Sequence, residues 1–197
     1  GRVLIIYVPK LFYIKNYSYI RFYMKIAFIG KICSGKSTFA NHLKNNHDFE
    51  ILSFGEPVKR HCKDIFGLEN KNREIIQDFA QKVKEIDFDV WVKYLTRKLD
   101  SLEKNVVIDD LRFPNEYNAL KERGFFFIKL EISKSLQIQR IKNLYKDSYK
   151  THINRLENIS ESYVDTLEAH YTIDIDNDSI DIRDTIANIF KKLNKNN

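Results

Sequence analysis

The stretch that most limits what this chain can fold into is residues 24–38, MKIAFIGKICSGKST. Met24 to Ile29 reads as a short apolar strand. It runs directly into Gly30-Lys31-Ile32-Cys33-Ser34-Gly35-Lys36-Ser37, which fits the phosphate-loop pattern G-x-x-x-x-G-K-[ST]. Glycine lets the backbone turn sharply and approach a ligand closely, so consecutive N–H groups of the loop can wrap a phosphate. Lys36 would reach the β- and γ-phosphates, and Ser37 would set its hydroxyl on Mg²⁺. The helix expected next carries Phe39 and Leu43 on one stripe, and its N-terminus adds a positive dipole end. Gly30, Lys31, Ser34, Gly35, Lys36, Ser37 and Thr38 are therefore the expected nucleotide-phosphate site. Lys36, as a loop residue, is expected to be exposed and to contribute little to packing.

Beyond Met24 the pattern alternates between strand and helix. Phe49 to Phe54 reads as a second strand, after which Gly55-Glu56-Pro57 opens a helix that Gly67 closes. Ile75, Ile76, Phe79 and Val83 form one helical stripe; Phe88, Trp91, Leu95 and Leu99 form another, with Asp87 or Asp89 as N-cap. Val106 to Asp109 is a buried strand by its β-branched run, and the helix after it has Pro114 near its start and Gly124 at its end. Phe125 to Ile132 and Tyr171 to Ile175 are two more strands, and Ile182, Ile186, Ile189 and Phe190 mark the closing helix. Such alternation predicts an α/β fold: a parallel sheet with right-handed crossovers and helices on both faces. Residues 142–160 break the pattern. They are polar, with Arg155 in their midst, and read either as a solvated loop with a helix end or as a lid over the nucleotide.

Charge narrows the partners. The formal charge is +6, but Arg2, Lys10, Lys15 and Arg21 lie in the first 23 residues, which hold no acid. The remainder, about +2, is too little to argue for a nucleic-acid surface. Val3 to Val8 is apolar but ends at Pro9, far short of the ~20 residues a membrane span needs. Met24, the only methionine, stands at the start of the phosphate-loop strand. Residues 1–23 are accordingly expected to be an extension or a start-site artefact without part in the chemistry, and 24–197 the working domain. Two cysteines, Cys33 and Cys62, make no disulfide framework, and the five histidines show no zinc-ligand spacing. A reducing, cytoplasmic setting fits.

The second informative run is Val106-Val107-Ile108-Asp109-Asp110-Leu111-Arg112-Phe113. An apolar strand ending in acids, downstream of a phosphate loop, sets carboxylates at the carboxyl end of a central strand, beside the phosphates. There a carboxylate such as Asp109 can hold a water on Mg²⁺ together with Ser37, or hydrogen-bond the acceptor. Arg112 offers a donor fork that matches a phosphate bidentately.

Asp110-Leu111-Arg112-Phe113-Pro114-Asn115-Glu116, followed by Ala119-Leu120 and Gly124, resembles the signature of the deoxynucleoside monophosphate kinases of large phages and DNA viruses. Ser53-Phe54-Gly55-Glu56-Pro57-Val58-Lys59 is similar to that family's second-strand segment. Gln77, Asp87 to Val92, Ser160-Glu161 and Asn177-Asp178 also fall where it has similar residues. The resemblance implies a P-loop kinase fold with five parallel strands in the order 2-3-1-4-5 and a small lid. It also implies ATP and Mg²⁺ as cofactors and a deoxynucleoside monophosphate as acceptor. By position it implies that Lys36 and the loop amides hold ATP, that Asp110 and Arg112 face the acceptor, and that Lys59 and Arg73 reach the acceptor phosphate. Glu116 joins that acceptor set. Phe54 and Trp91 would stack on or wall the base, although either can equally be core. The resemblance also implies Arg140 as a catalytic arginine on the lid side. Gly55 stands where alanine is more usual, and Arg140 and Arg155 lie apart rather than as a close pair.

Other readings share these features. Dephospho-coenzyme A and phosphomevalonate kinases also join a P-loop to an acid after a strand. The acidic strand resembles that of an ATPase motor or clamp loader, for whose helical lid domain the chain ends too soon. A GTPase is disfavoured because no N-K-x-D run is present. An inactive nucleotide-binding module would keep the same residues. The expected partner is a small nucleotide, with neither nucleic acid nor membrane, and a homodimer is an expected assembly.

Overall fold

A computed structural model describes residues 11–12, 20–21, 23–67, 72–146, 148–154, 156, 159–177 and 180–195. Most of residues 1–23 lie outside this set. Within them Leu11–Phe12 (β1) pairs antiparallel with Ile20–Arg21 (β2).

The remaining strands form one parallel sheet. They are Lys25–Gly30 (β3), Phe49–Leu52 (β4), Asn105–Leu111 (β5), Phe126–Glu131 (β6) and Tyr171–Asp174 (β7), laid side by side as β4-β5-β3-β6-β7. Counted from the phosphate-loop strand this is the expected order 2-3-1-4-5. The central strand β3 shows why both faces must be covered. Ile26 and Phe28 point into one apolar cluster, Ala27 and Ile29 into the other, and all four are fully buried. Each large side chain so buried contributes about 1.5–3 kcal/mol of transfer free energy.

On the first face Lys36–His47 (α1) and Ile182–Lys195 (α9) cover the sheet through Phe39, Leu43, Ile186 and Ile189. On the second lie Val90–Asp100 (α4), Pro114–Lys121 (α5) and Ile159–Thr166 (α8), with Leu95, Leu120 and Val164 inward. Gly55–Phe66 (α2) and Arg73–Ile86 (α3) pack on each other beside α4. Lys134–Leu144 (α6) and Tyr149–Asn154 (α7) follow β6. Met24, one residue before β3, is nine-tenths buried, and its N–H donates to the Asn105 side chain at 2.9 Å. Among the described residues no helix is long and apolar enough to cross a membrane.

Two local expectations need correction. Phe88 was placed on the buried stripe of α4, yet it is 68% exposed. The helix starts at Val90 behind Asp89, and Phe88 sits in the preceding turn, off the helical face. The polar stretch 142–160, read as a solvated loop with a helix end or as a lid, holds more helix than a loop would. α6 runs to Leu144, α7 follows, and the Tyr145 ring stacks on His152 with centroids 3.6 Å apart. Arg155 lies outside the described residues.

The ladder between β3 and β5 has one irregularity. Ala27 pairs with Ile108 and Ile29 with Leu111, so Phe28 is matched by two residues, Asp109 and Asp110. Ile108 and Leu111 consequently share the second core, which strict alternation over three positions would forbid.

Candidate active site

The carboxyl ends of β3 and β5 open onto a cavity of about 1020 Å³. Its wall carries Ser34, Gly35, Lys36, Ser37 and Thr38 from the loop and α1, Asp109, Asp110 and Arg112 from β5 and just beyond, Lys59 from α2 and Arg140 from α6. Ten of the residues singled out from sequence therefore meet around one space.

The loop is shaped by two left-handed residues, Cys33 (φ 62°) and Gly35 (φ 99°). At Gly30 the constraint is space: a Cβ there would come within 2.6 Å of the Ser34 hydroxyl and 3.0 Å of the Leu130 carbonyl oxygen. Lys36 departs from the exposed loop residue expected of it. It is the first residue of α1, only 8% exposed, and its Nζ donates to the carbonyls of Gly30 (2.6 Å) and Lys31 (2.8 Å). The ammonium thus holds the loop's own backbone. Lys31 turns the other way and pairs with Asp165 of α8 at 2.9 Å.

The two acids of the β5 irregularity have separate tasks. Asp109 Oδ2 accepts from the Ser37 hydroxyl at 2.8 Å, which brings the two expected metal ligands together beside Lys36. Two hard oxygens at a phosphate loop suit Mg²⁺, which takes few protein ligands and keeps its waters and substrate oxygens. Asp110 is committed to the backbone. Its Oδ1 and Oδ2 accept from the N–H groups of Phe54 and Gly55, both at 2.9 Å, and so tie the start of α2 to β5. Loss of solvent raises its pKa, against the pull of those amides.

Glu116 likewise serves the backbone. It is buried, and its Oε2 accepts from the N–H groups of Arg112 (3.0 Å) and Phe113 (3.1 Å), closing the turn before α5. Burial pushes its carboxyl up to about 7 in spite of these amides. Glu116 stands behind Arg112 rather than on the cavity wall.

Both aromatics proposed for the base belong to the core. Phe54 is 4% exposed within the second apolar cluster. Trp91 is 7% exposed, packs on Phe79 of α3, and donates its indole N–H to the Ala80 carbonyl at 3.2 Å. Neither lines the cavity. The side chain of Arg73 lies outside the described residues.

Sequence reading gave no site role to the far wall of the cavity or to Gln137 behind the loop. Ile175, Asn177, Ile180 and Ile182, around the turn from β7 to α9, line the wall with Tyr145. The backing comes from α6, where Gln137 donates to the Ile32 carbonyl at 2.9 Å and Arg140 to the Cys33 carbonyl at 3.2 Å.

A family model described as "AAA domain" matches residues 26–165, from β3 through most of α8. A protein of Acanthamoeba polyphaga mimivirus named "Putative deoxynucleotide monophosphate kinase" is 26% identical over 140 residues, covering 54% of this chain and 72% of that protein. Among solved structures, shikimate kinase from Acinetobacter baumannii is similar with a TM-score of 0.54 at 20% identity, over 88% of this chain and 94% of that one. A gluconokinase from Sinorhizobium meliloti 1021 is similar with a TM-score of 0.51 at 17% identity, over 89% and 94%. At such identities the structural likeness concerns the fold, which is that of the P-loop kinases.

Proposed function

Because the chain belongs to the AAA domain family, whose matched region holds the phosphate loop and the acid-ended strand, we propose that it is a kinase transferring the γ-phosphoryl of ATP to a deoxynucleoside monophosphate. The observation that carries this reading is the convergence of two cationic groups on one cavity. Lys36 and the loop amides stand beside the Ser37–Asp109 pair, while Lys59 and Arg112 line the same space from α2 and the end of β5. A nucleotide hydrolase needs the first group and cations for the transferring phosphoryl only. A phosphotransferase also needs cations for the phosphate of its acceptor.

Within this reading the loop holds the ATP phosphates, and Ser37 and Asp109 are the residues that would hold Mg²⁺. The ion supplies charge neutralisation on the transferring phosphoryl group. Arg112 and Lys59 bind the acceptor phosphate and orient it, and Asp110 keeps the β4–α2 turn in place beneath it. Arg140 reaches the cavity from α6, and the polar stretch 142–160, with α7 in it, is the lid that excludes water. The D-x-R-F-P-N-E run and the named mimivirus relative support the deoxynucleotide acceptor. The protein works in the cytoplasm.

Steady-state ATP consumption, measured with no acceptor and with each deoxynucleoside monophosphate in turn, tests the proposal. Consumption that depends on one or more of them is the expected result. ATP turnover without acceptor would mark a hydrolase, and stimulation only by other small alcohols or phosphates would move the acceptor to another class.

A further inference from the structure

The phosphate loop contains a non-glycine residue, Cys33, held at φ 62°. A side chain with a Cβ enters this region seldom and stays only where its surroundings hold it. The peptide linking Ile32 to Cys33 is planar and trans, so its carbonyl and the Cys33 N–H point in opposite directions. Its carbonyl is caught from behind by Gln137 Nε2 at 2.9 Å. Gln137 is only 3% exposed, lies on the inner side of α6, and takes no place on the cavity wall. One turn further along α6, Arg140 catches the next carbonyl, that of Cys33, at 3.2 Å.

We propose that Gln137 is a positioning residue for nucleotide binding: by pinning the Ile32 carbonyl outward it aims the Cys33 N–H into the concave side of the loop, where phosphate binds. This rests on the reading of the loop as a nucleotide-phosphate site. A buried side-chain amide is ordinarily hydrogen-bonded, and Gln137 meets that need by donating across 105 positions of sequence to a loop carbonyl. The loop is therefore set before the ligand arrives, and its amides need not reorganise on binding.

The test uses the full chain and MgADP as probe. Calorimetry gives affinity, and the backbone amide resonance of Cys33 gives the local response. Wild-type protein is expected to bind, with the Cys33 amide shifting downfield as it meets phosphate. Wild-type protein that binds no MgADP removes the loop reading and this proposal with it. Gln137→Met keeps length and shape but has no donor. It is expected to lose about tenfold in MgADP affinity, the effect of one hydrogen bond, and to lose most of the Cys33 shift. A merely structural glutamine would lower the melting temperature and leave that shift unchanged. Affinity within about twofold of wild type, or an undiminished Cys33 shift, overturns the proposal. Should Gln137→Met not fold, Gln137→Leu, which likewise lacks a donor, is read in the same two ways.

Discussion

Lys36 offers the sharpest test of how the loop is built. Its ammonium makes two short hydrogen bonds to the carbonyls of Gly30 and Lys31 and is almost wholly removed from solvent. Each bond from a charged donor is worth about 1.5–3 kcal/mol. Against the pair stands the cost of drawing an ammonium out of water, itself several kcal/mol. The difference is small but favours the bonded lysine, because both carbonyls would otherwise lose a donor. Lys36→Met keeps most of the stem and removes the charge, so it isolates this balance. We expect a loss of about 1–2 kcal/mol and a melting temperature lower by roughly 2–8 °C for a domain of this size. Lys36→Ala should fall further, since it also empties the space beside Phe39 and the loop. Differential scanning calorimetry without nucleotide measures both. The same Met variant should bind MgADP about tenfold or more weakly, because on the proposed function the ammonium is also a phosphate contact. A Lys36→Met protein that melts within about 1 °C of wild type would refute the reasoning, since the resting contacts would then contribute nothing to the fold.

Two further perturbations separate roles around the cavity. Arg112→Ala should lower kcat/KM for the acceptor by about 30- to 1000-fold, the effect of losing a bidentate charge-assisted contact, while ATP affinity changes far less. Arg112→Lys should recover only part of it, and near-silence in both variants would make Arg112 a bystander. Glu116 predicts a pH dependence of stability. Its folded value of about 7 stands above the ordinary 4.5, so its contribution is complete below pH 4.5 and is lost as pH rises through about 7. Glu116→Gln should flatten that decline in melting temperature, and parallel profiles for variant and parent would show that another group is responsible.

Much of this architecture is legible in the chain because local signals and tertiary demands coincide there. The glycines of the loop, the apolar run of β5 and the acids that end it each have one physical use. Together they place Ser37, Asp109 and Arg112 around one cavity, as the sequence predicts. The failures fall where a residue's environment decides its role. Phe88 carries the right spacing for a helical stripe, but the helix begins two residues later and leaves it exposed. Phe54 and Trp91 read equally as base wall or as core, and packing against neighbouring strands and helices settles both in the core. Asp110 and Glu116 were given to the acceptor by position in the resembling family, and of the two only Asp110 lines the cavity. In the structure their oxygens bond backbone amides, and a carboxylate cannot announce from sequence whether it will meet a ligand or a turn. Gln137 gave no signal at all. A single amide in a polar helix has neither periodicity nor motif, and only the approach of the loop gives it a purpose.

β5 carries one residue more than β3 can match, and that surplus sits where the two acids are. In an evenly paired ladder, neighbouring side chains must take opposite faces, so one of two consecutive acids would be driven toward the apolar layer that holds Ile108 and Leu111. The surplus residue releases both from that rule. One carboxylate can then serve the phosphate loop while its neighbour holds the start of α2, only one peptide unit away. Shortening the strand by a residue would regularise the pairing and stiffen the sheet. It would also leave a single acid to serve two masters on opposite sides. The most regular version of this strand is thus a sounder beam and a poorer tool, and selection for thermal robustness alone would tend to erase the feature on which the cavity depends.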